Sequence, residues 1–258
     1  MTELASSSTL YEVRDGVAWL TMNRPEAANA LNADLRDGLR TGFERFNADD
    51  EAAVLVLTGA GEKAFCAGGD LKEMADTGLK VPPPDFVAQP GRTIQVEKPI
   101  IAAVNGTAYA GGFLLAQSCD LCIAADHARF AITEAKWGRG SPWAAPLPWL
   151  IPPRVAMELV TTAAPITAQR AYEVGLVNKV VPGAELVEAA QAMASTIAAN
   201  APLTVRAGKA MVYASAELAR TQALEEAERL YRPVYLSEDA LEGPQAFREK
   251  RKPRWQAR

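Results

Sequence analysis

Two glycine-rich stretches contain the residues whose types and spacing best suit chemistry. The first is Phe65–Lys72 (FCAGGDLK), and the second is Ala103–Phe113 (AVNGTAYAGGF). Glycines let the backbone turn tightly and bring N–H groups close to a ligand, and a helix N-terminus adds unpaired donors and a dipole that favours negative charge. Two such N–H groups that converge on one oxygen form an oxyanion hole, in which each donor contributes about 2.7–4 kcal/mol of transition-state stabilisation.

The residues alone leave other interpretations of these stretches open. Isolated glycines mark turns far more often than sites, so both stretches are also typical of plain strand–turn–helix connections in an α/β protein. A phosphate-binding P-loop is disfavoured, because no Lys-Ser or Lys-Thr follows either glycine cluster. Neither stretch has the Gly-x-Gly-x-x-Gly pattern of a dinucleotide site.

Apolar runs predict the strands that must position these glycines. Val54–Thr58 leads into the first stretch and Ile100–Val104 into the second, and both predict buried strands. The rest of the chain predicts a hairpin across Asp15-Gly16, a helix that begins at Asn32, and these further segments: strands 9–14, 17–22, 121–125, 130–132 and 177–181, and helices 32–48, 111–118, 155–162 and 168–173. Residues 75–93 predict an irregular segment near the site, and 137–153, with five prolines, exclude a regular helix or central strand.

Helical patterns dominate the end of the chain, with helices predicted for 185–199, 203–213, 217–231 and 239–250. We therefore predict an α/β core domain over 1–195 and a helical region over 196–258.

Composition excludes several classes of function. The 258 residues are 49% hydrophobic and 22% charged, which is typical of a globular protein. The net charge of −4 disfavours a nucleic-acid surface. No run approaches the ~20 apolar residues that span a bilayer, and the N-terminus lacks the pattern of a signal peptide. We expect a cytoplasmic protein that binds neither nucleic acid nor membrane.

Cysteine and histidine give no pattern for a metal site or a catalytic triad. The chain has three cysteines, Cys66, Cys119 and Cys122. Their odd number and their apolar sequence surroundings are expected for reduced thiols rather than for disulfides. The Cys-x-x-Cys spacing has no second pair or histidine cluster, so no metal site is predicted. His127, the only histidine, adjoins Asp126, but the chain has no Gly-x-Ser-x-Gly elbow, so a Ser–His–Asp triad is not expected.

The two glycine stretches, in their order and spacing, resemble the signature of the crotonase (enoyl-CoA hydratase/isomerase) superfamily. The resemblance extends from Val17 to about Trp255. Its further matching segments are Met22–Pro25 (MNRP), Asn29–Asn32 (NALN), Cys119-Asp120 followed by Ile123-Ala124, the segment 168–178, and 237–251 with Glu242-Gly243 and Phe247.

The resemblance implies a fold, a ligand and an assembly. The fold would be a right-handed spiral of ββα turns whose C-terminal helices pack against other subunits in a homotrimer or dimer of trimers. The N–H groups of Gly69 and Gly111 would hold the thioester oxygen of an acyl-CoA. Coenzyme A, part of the substrate rather than a separate cofactor, would contact Arg24 and the residues Ala67, Gly68, Asp70 and Leu71.

One departure from the family pattern bears on the reaction. Hydratases of the family use two glutamates, one three residues past the second oxyanion glycine and one 20 residues later. These positions are Leu114 and Glu134 here. Position 142, where some family isomerases carry an aspartate, is proline. A single carboxylate that takes a proton and returns it elsewhere suits a 3-enoyl to 2-enoyl isomerase better than a hydratase.

Other residues are predicted to surround Glu134. A catalytic glutamate needs apolar neighbours that exclude water and raise its pKa, and we expect Phe113, Leu114 and Trp137 to supply them. Lys136, Arg139 and Trp143 are either residues of the acyl pocket or surface side chains.

Three functions stay open at this point. The first is an enzyme of the hydratase/isomerase type. The second is another crotonase-type reaction, such as thioester hydrolysis, dehalogenation or C–C cleavage. The third is an acyl-CoA-binding protein without catalysis.

Overall fold

A computed structural model describes residues 8–258. Within them the chain forms ten strands: Thr9–Arg14 (β1), Val17–Met22 (β2), Val54–Gly59 (β3), Ala64–Cys66 (β4), Ile100–Val104 (β5), Thr107–Tyr109 (β6), Leu121–Ala125 (β7), Arg129–Ala131 (β8), Ile166–Thr167 (β9) and Lys179–Val181 (β10). Ten α-helices lie between and after the strands: Ala33–Ala48 (α1), Leu71–Thr77 (α2), Gly111–Ser118 (α3), Leu147–Leu150 (α4), Pro153–Thr162 (α5), Ala168–Glu173 (α6), Leu186–Ala198 (α7), Pro202–Glu217 (α8), Arg220–Leu236 (α9) and Asp239–Arg248 (α10). Two short 3₁₀ turns, Glu134–Trp137 and Pro142–Ala144, lie between β8 and α4.

The larger sheet has six strands in the order β1-β2-β3-β5-β7-β10. The hairpin β1–β2 is antiparallel, and every later pair in this sheet is parallel. The strands β3 and β5 are buried almost throughout, because helices cover them and leave no polar face. Helix α7 packs on this sheet with its buried residues Leu186, Ala190 and Ala194.

The smaller sheet has four strands in the order β4-β6-β8-β9. Its first three strands are parallel, and β9 is antiparallel to β8. The chain alternates between the sheets, with β3, β5 and β7 in one and β4, β6 and β8 in the other. Helix α2 follows β3 and β4, and α3 follows β5 and β6, so these segments are successive ββα turns.

The amphipathic helix α1 closes the core beside the hairpin. The side chain of Asn32 caps it by accepting a hydrogen bond from the Leu35 N–H group at 3.0 Å. Leu35, Leu39, Phe43 and Phe46 form its buried face, as the spacing predicts.

Asp120 ties α8 to the larger sheet. Its carboxylate accepts hydrogen bonds from the Ile100 N–H group at 2.7 Å and from the Tyr213 hydroxyl at 2.8 Å. The Lys209 Nζ atom lies 2.8 Å from Oδ2, the carboxylate oxygen that also accepts the hydrogen bond from Ile100. Burial, followed by the negative charge of Asp120, raises the pKa of Tyr213. A hydrogen-bonded ion pair therefore anchors the C-terminal helices to the strands.

The structure differs from the sequence predictions in the shortest elements. Sequence patterns do not predict the strands β4, β6 and β9, which have only two or three residues each. The segment 137–153 contains the one-turn helix α4, in which Pro148 lies in the first turn, where a missing N–H costs nothing. The last strand begins at Lys179 rather than Val177. The predicted boundary at 195/196 falls inside α7, and the domain division stays a prediction.

None of the helices described is long and apolar enough to cross a membrane. Across residues 8–258, no cluster of His, Cys, Asp and Glu side chains is suited to hold a metal ion.

Candidate active site

The candidate site lies where three adjacent parallel strands end. Gly69 follows β4 by three residues, Gly111 follows β6 by two, and Glu134 follows β8 by three. Since β4, β6 and β8 are neighbours and parallel, their carboxyl ends lie at one edge of the smaller sheet. The sheet therefore brings together the three residues that the sequence selects as catalytic.

Backbone pairing leaves the Gly69 amide free. The Leu31 N–H donates to the Gly68 carbonyl at 2.7 Å, and the Asp70 N–H donates to the Leu31 carbonyl at 3.3 Å. Leu31 thus pairs with the residues on either side of Gly69, whose own N–H group must face away from it. Within residues 8–258 this N–H group donates to no acceptor.

The Gly111 amide is free because it is the first in α3. The preceding residue, Ala110, has φ of 50°, an uncommon value for a residue with a Cβ. Its N–H donates to the Ala131 carbonyl at 2.9 Å, and its carbonyl accepts from Leu114 at 3.0 Å. This bend turns β6 directly into α3 and leaves the Gly111 N–H without an acceptor in the part of the chain described.

The two stretches touch at Gly68. A Cβ atom added there would lie 2.7 Å from the Cβ of Ala110 and 3.3 Å from the Gly111 nitrogen. Gly68 also has φ of 99°, which side chains rarely adopt. Close approach of the backbones is therefore possible only with glycine at this position.

Glu134 is buried at the start of its 3₁₀ turn, with 9% of its surface exposed. Its Oε1 atom accepts a hydrogen bond from the Trp143 indole at 3.2 Å, whereas its buried Oε2 atom has no partner within the described chain. Burial raises the pKa of this carboxyl, and hydrogen bonds from its own backbone N–H and from Trp143 oppose part of that shift. A carboxyl whose pKa is raised by burial is suited to take up and return a proton.

Leu114 is 4% exposed and lies one helical turn after Gly111 in α3. No ionisable side chain occurs in α3. An aliphatic side chain therefore occupies this buried position.

Arg24 and Asp70 lie next to each other. The Arg24 guanidinium is 3.2 Å from Asp70 Oδ2 and also donates to the Ala30 carbonyl. Asp70 caps α2 by accepting from the N–H groups of Lys72 and Glu73. Burial would raise the pKa of Asp70, but the Glu73 N–H, Arg24 and the Lys72 N–H together lower it. This pair fixes the end of the first glycine stretch.

The other predicted binding residues are spread between the surface and the site. Ala67 is exposed and its N–H donates to the Ala28 carbonyl at 3.0 Å, while Leu71 begins α2 with half of its surface exposed. Trp137 is 62% exposed. The indole that contacts Glu134 belongs to Trp143 instead, which corrects the expectation that Trp137 encloses the carboxyl.

Gln117 is a neighbour of Trp143 that no sequence pattern singles out. Its Nε2 donates to the Trp143 carbonyl at 2.7 Å. The available signal was its position, since Gln117 and Ser118 are the polar side chains of the apolar helix α3.

The Cys119–Cys122 pair and His127 take no part in the site. Both thiols are buried, and burial raises their pKa values, to about 12 for Cys122. His127 is exposed and faces Asp126 and the backbone carbonyls of Glu62 and Asn105.

Comparison with known proteins gives a consistent result. The family model for enoyl-CoA hydratase/isomerase matches residues 12–258. Carnitinyl-CoA dehydratases of Salmonella typhi and Proteus mirabilis (strain HI4320) are 39% and 40% identical, over 98% of this chain and 100% of theirs. A crystal structure of enoyl-CoA hydratase from Mycobacterium tuberculosis H37Rv is 39% identical and superposes with a TM-score of 0.90 over 97% of this chain and 99% of its own. By both sequence and fold, the chain belongs to the enoyl-CoA hydratase/isomerase family of enzymes, the crotonase superfamily.

Proposed function

We propose that this protein is an acyl-CoA enzyme that stabilises a thioester enolate with the N–H groups of Gly69 and Gly111 and moves protons with Glu134. Isomerisation of a 3-enoyl-CoA to a 2-enoyl-CoA suits this site best. The observation that carries the proposal is the buried Glu134 carboxyl, which has one oxygen without a partner among residues 8–258 and lies at the strand edge that holds both free amides.

The proton shift needs one base and one electrophilic site. The Glu134 carboxylate removes a proton from the α-carbon, and the electron pair of that C–H bond passes into the thioester, whose oxygen becomes negative. Hydrogen bonds from two amides stabilise that charge without reorganisation. Glu134 then returns the proton to the γ-carbon, and the double bond moves from between the β- and γ-carbons to between the α- and β-carbons.

The first glycine stretch is our candidate for the coenzyme A site. The backbone of Ala67, Gly68 and Leu71 would line the thioester end of the substrate, with Leu114 and Trp137 toward the acyl group. Arg24 would approach the nucleotide part from its bridge with Asp70. This bridge supports the assignment because it leaves Arg24 beside the glycine stretch with further N–H donors on its guanidinium.

Dehydration of a 3-hydroxyacyl-CoA is the second candidate, and the relatives named carnitinyl-CoA dehydratase favour it. The same enolate forms first. The β-carbon–oxygen bond then breaks, and the hydroxyl leaves as water after it takes the proton from Glu134. Because Leu114 offers no second acid, Glu134 alone must act both as the base at the α-carbon and as the acid at the β-oxygen, whereas the hydratases of the family use two glutamates for these roles, so we rank dehydration below isomerisation.

An assay with substrates of matched chain length distinguishes isomerisation from dehydration. Purified protein is mixed with a 3-enoyl-CoA, a 2-enoyl-CoA and a 3-hydroxyacyl-CoA of equal chain length, and the absorbance of the conjugated thioester is followed. We expect it to rise with the 3-enoyl-CoA and to stay constant with the 2-enoyl-CoA in water. A rise with the 3-hydroxyacyl-CoA and a fall with the 2-enoyl-CoA would establish hydration chemistry instead. No change with any of them, while coenzyme A thioesters still bind, would leave a binding protein or another reaction.

We also propose that the C-terminal helices mediate self-association, as a trimer or a dimer of trimers. Large apolar side chains on α8–α10 are strongly exposed in the single chain: Val212, Leu224, Tyr235, Leu236, Leu241 and Phe247. Exposed apolar groups of this density are typical of protein interfaces. Light scattering should give a mass of three or six chains, and a monomer at micromolar concentration would contradict the proposal.

A further inference from the structure

The hydrogen bond from Trp143 to Glu134 gives this tryptophan a role in the proposed chemistry. The indole N–H is a donor only, and it lies 3.2 Å from Oε1 of Glu134. Oε2, the other carboxyl oxygen, is buried and has no partner among residues 8–258. The two oxygens are therefore not equivalent, because one is held and the other is available.

Helix α3 holds Trp143 in this position. Gln117 donates from Nε2 to the Trp143 carbonyl at 2.7 Å, and the Phe113 ring lies 6.0 Å from the indole at an interplanar angle of 39°. Trp143 itself lies in the 3₁₀ turn Pro142–Ala144. Because α3 begins at Gly111, the same helix supplies an oxyanion amide and fixes the indole.

We propose that Trp143 is a positioning residue that holds Oε1 of Glu134 and leaves Oε2 as the atom that takes and returns the substrate proton. This inference rests on the proposed function of Glu134. In a site with only one carboxyl, the indole of Trp143 would thus orient the carboxyl of Glu134.

Charged neighbours do not explain the state of this carboxyl. Its raised pKa comes from burial, and the opposing contributions are the hydrogen bonds from its own backbone N–H and from Trp143. Helix α3 carries no ionisable group. The ionisable side chains of the 3₁₀ turn and of α5, other than Glu134 itself, are exposed, as is Lys80 after α2: Lys136, Arg154 and Glu158. Arg139 is half-buried; its Nη1 donates to the Leu79 carbonyl at 2.9 Å, and its buried Nη2 has no partner among residues 8–258.

The test replaces the N–H donor but keeps an aromatic ring, in the variant Trp143→Phe. The activity needs the carboxylate, so it falls as the pH drops through the pKa of Glu134. Loss of a donor to the charged form raises that pKa further. We expect the acid limb of the kcat profile to move up by about one pH unit, with KM changed less than about twofold. The matched control is Trp149→Phe, at an indole that is 65% exposed on α4, and its profile should equal that of the unmodified protein.

An acid limb that stays in place in Trp143→Phe, even with a lower kcat, would overturn the inference, because a purely packing role lowers kcat equally at every pH. If Trp143→Phe does not fold, the inference is tested by NMR on the unmodified protein. One indole N–H resonance of its five tryptophans should titrate with the midpoint of the kcat limb and lose that titration in Glu134→Gln. The absence of such a titrating resonance would overturn the inference. Full activity of Glu134→Gln would instead overturn the proposed function itself.

Discussion

Replacement of Glu134 by Gln should slow the exchange of α-hydrogens between a saturated acyl-CoA and D₂O by about 10²–10⁴-fold. The exchange needs only the enolate, so it reports on the site whichever unsaturated substrate is natural. Gln has nearly the shape of Glu and can still accept the Trp143 hydrogen bond, but its amide cannot take a proton. Mass spectrometry of the recovered thioester measures the rate.

A binding measurement and an exposed glutamate serve as controls for this variant. The affinity of Glu134→Gln for the thioester should stay within about twofold of the unmodified protein, as measured by calorimetry. Glu158→Gln, on the exposed side of α5, should exchange at the normal rate. Exchange by Glu134→Gln at an undiminished rate would remove Glu134 from its role.

The substitution Gly112→Ala should impair both the stability and the site. A Cβ atom at this position would overlap the carbonyl group of Cys66, at the end of β4. The backbone of α3 must therefore move away from the first glycine stretch, at a cost of about 1–3 kcal/mol in the free energy of unfolding. Gly111 moves with it, and a displacement of about 1 Å at a reacting centre costs about 10²-fold in rate.

Gly243→Ala is the matched control, since Gly243 also lies in a helix and an added Cβ there meets the Trp255 ring at an ordinary 3.5 Å. Urea unfolding and α-hydrogen exchange are measured on both variants. Gly112→Ala should unfold at a lower urea concentration and exchange α-hydrogens more slowly, whereas Gly243→Ala should be unchanged in both measurements. A Gly112→Ala protein with normal exchange would show that the spacing between α3 and β4 does not set the oxyanion geometry.

The sequence predicts the larger sheet well because its strands carry their own signals. The Asp15-Gly16 turn and the apolar runs before both glycine stretches are local patterns, and the structure confirms them. The smaller sheet is different. The strands β4 and β6 have three residues each, and their pairing depends on the order in which the chain alternates between sheets. No local pattern contains that information.

The candidate site divides in the same way. Glycines and a glutamate at family spacing predict which residues lie at the strand ends. The side chain that contacts Glu134 could not be selected from the sequence, because Trp137 and Trp143 are both near it along the chain. The 3₁₀ turns decide between them, since they expose the first and direct the second inward.

A crystal structure with an unreactive acyl-CoA analogue would test the oxyanion hole most directly. We predict that the thioester oxygen lies about 2.7–3.1 Å from the nitrogens of both Gly69 and Gly111, with Oε2 of Glu134 facing the α-carbon. A thioester oxygen that contacts neither amide, or an α-carbon out of reach of Glu134, would contradict the enolate mechanism.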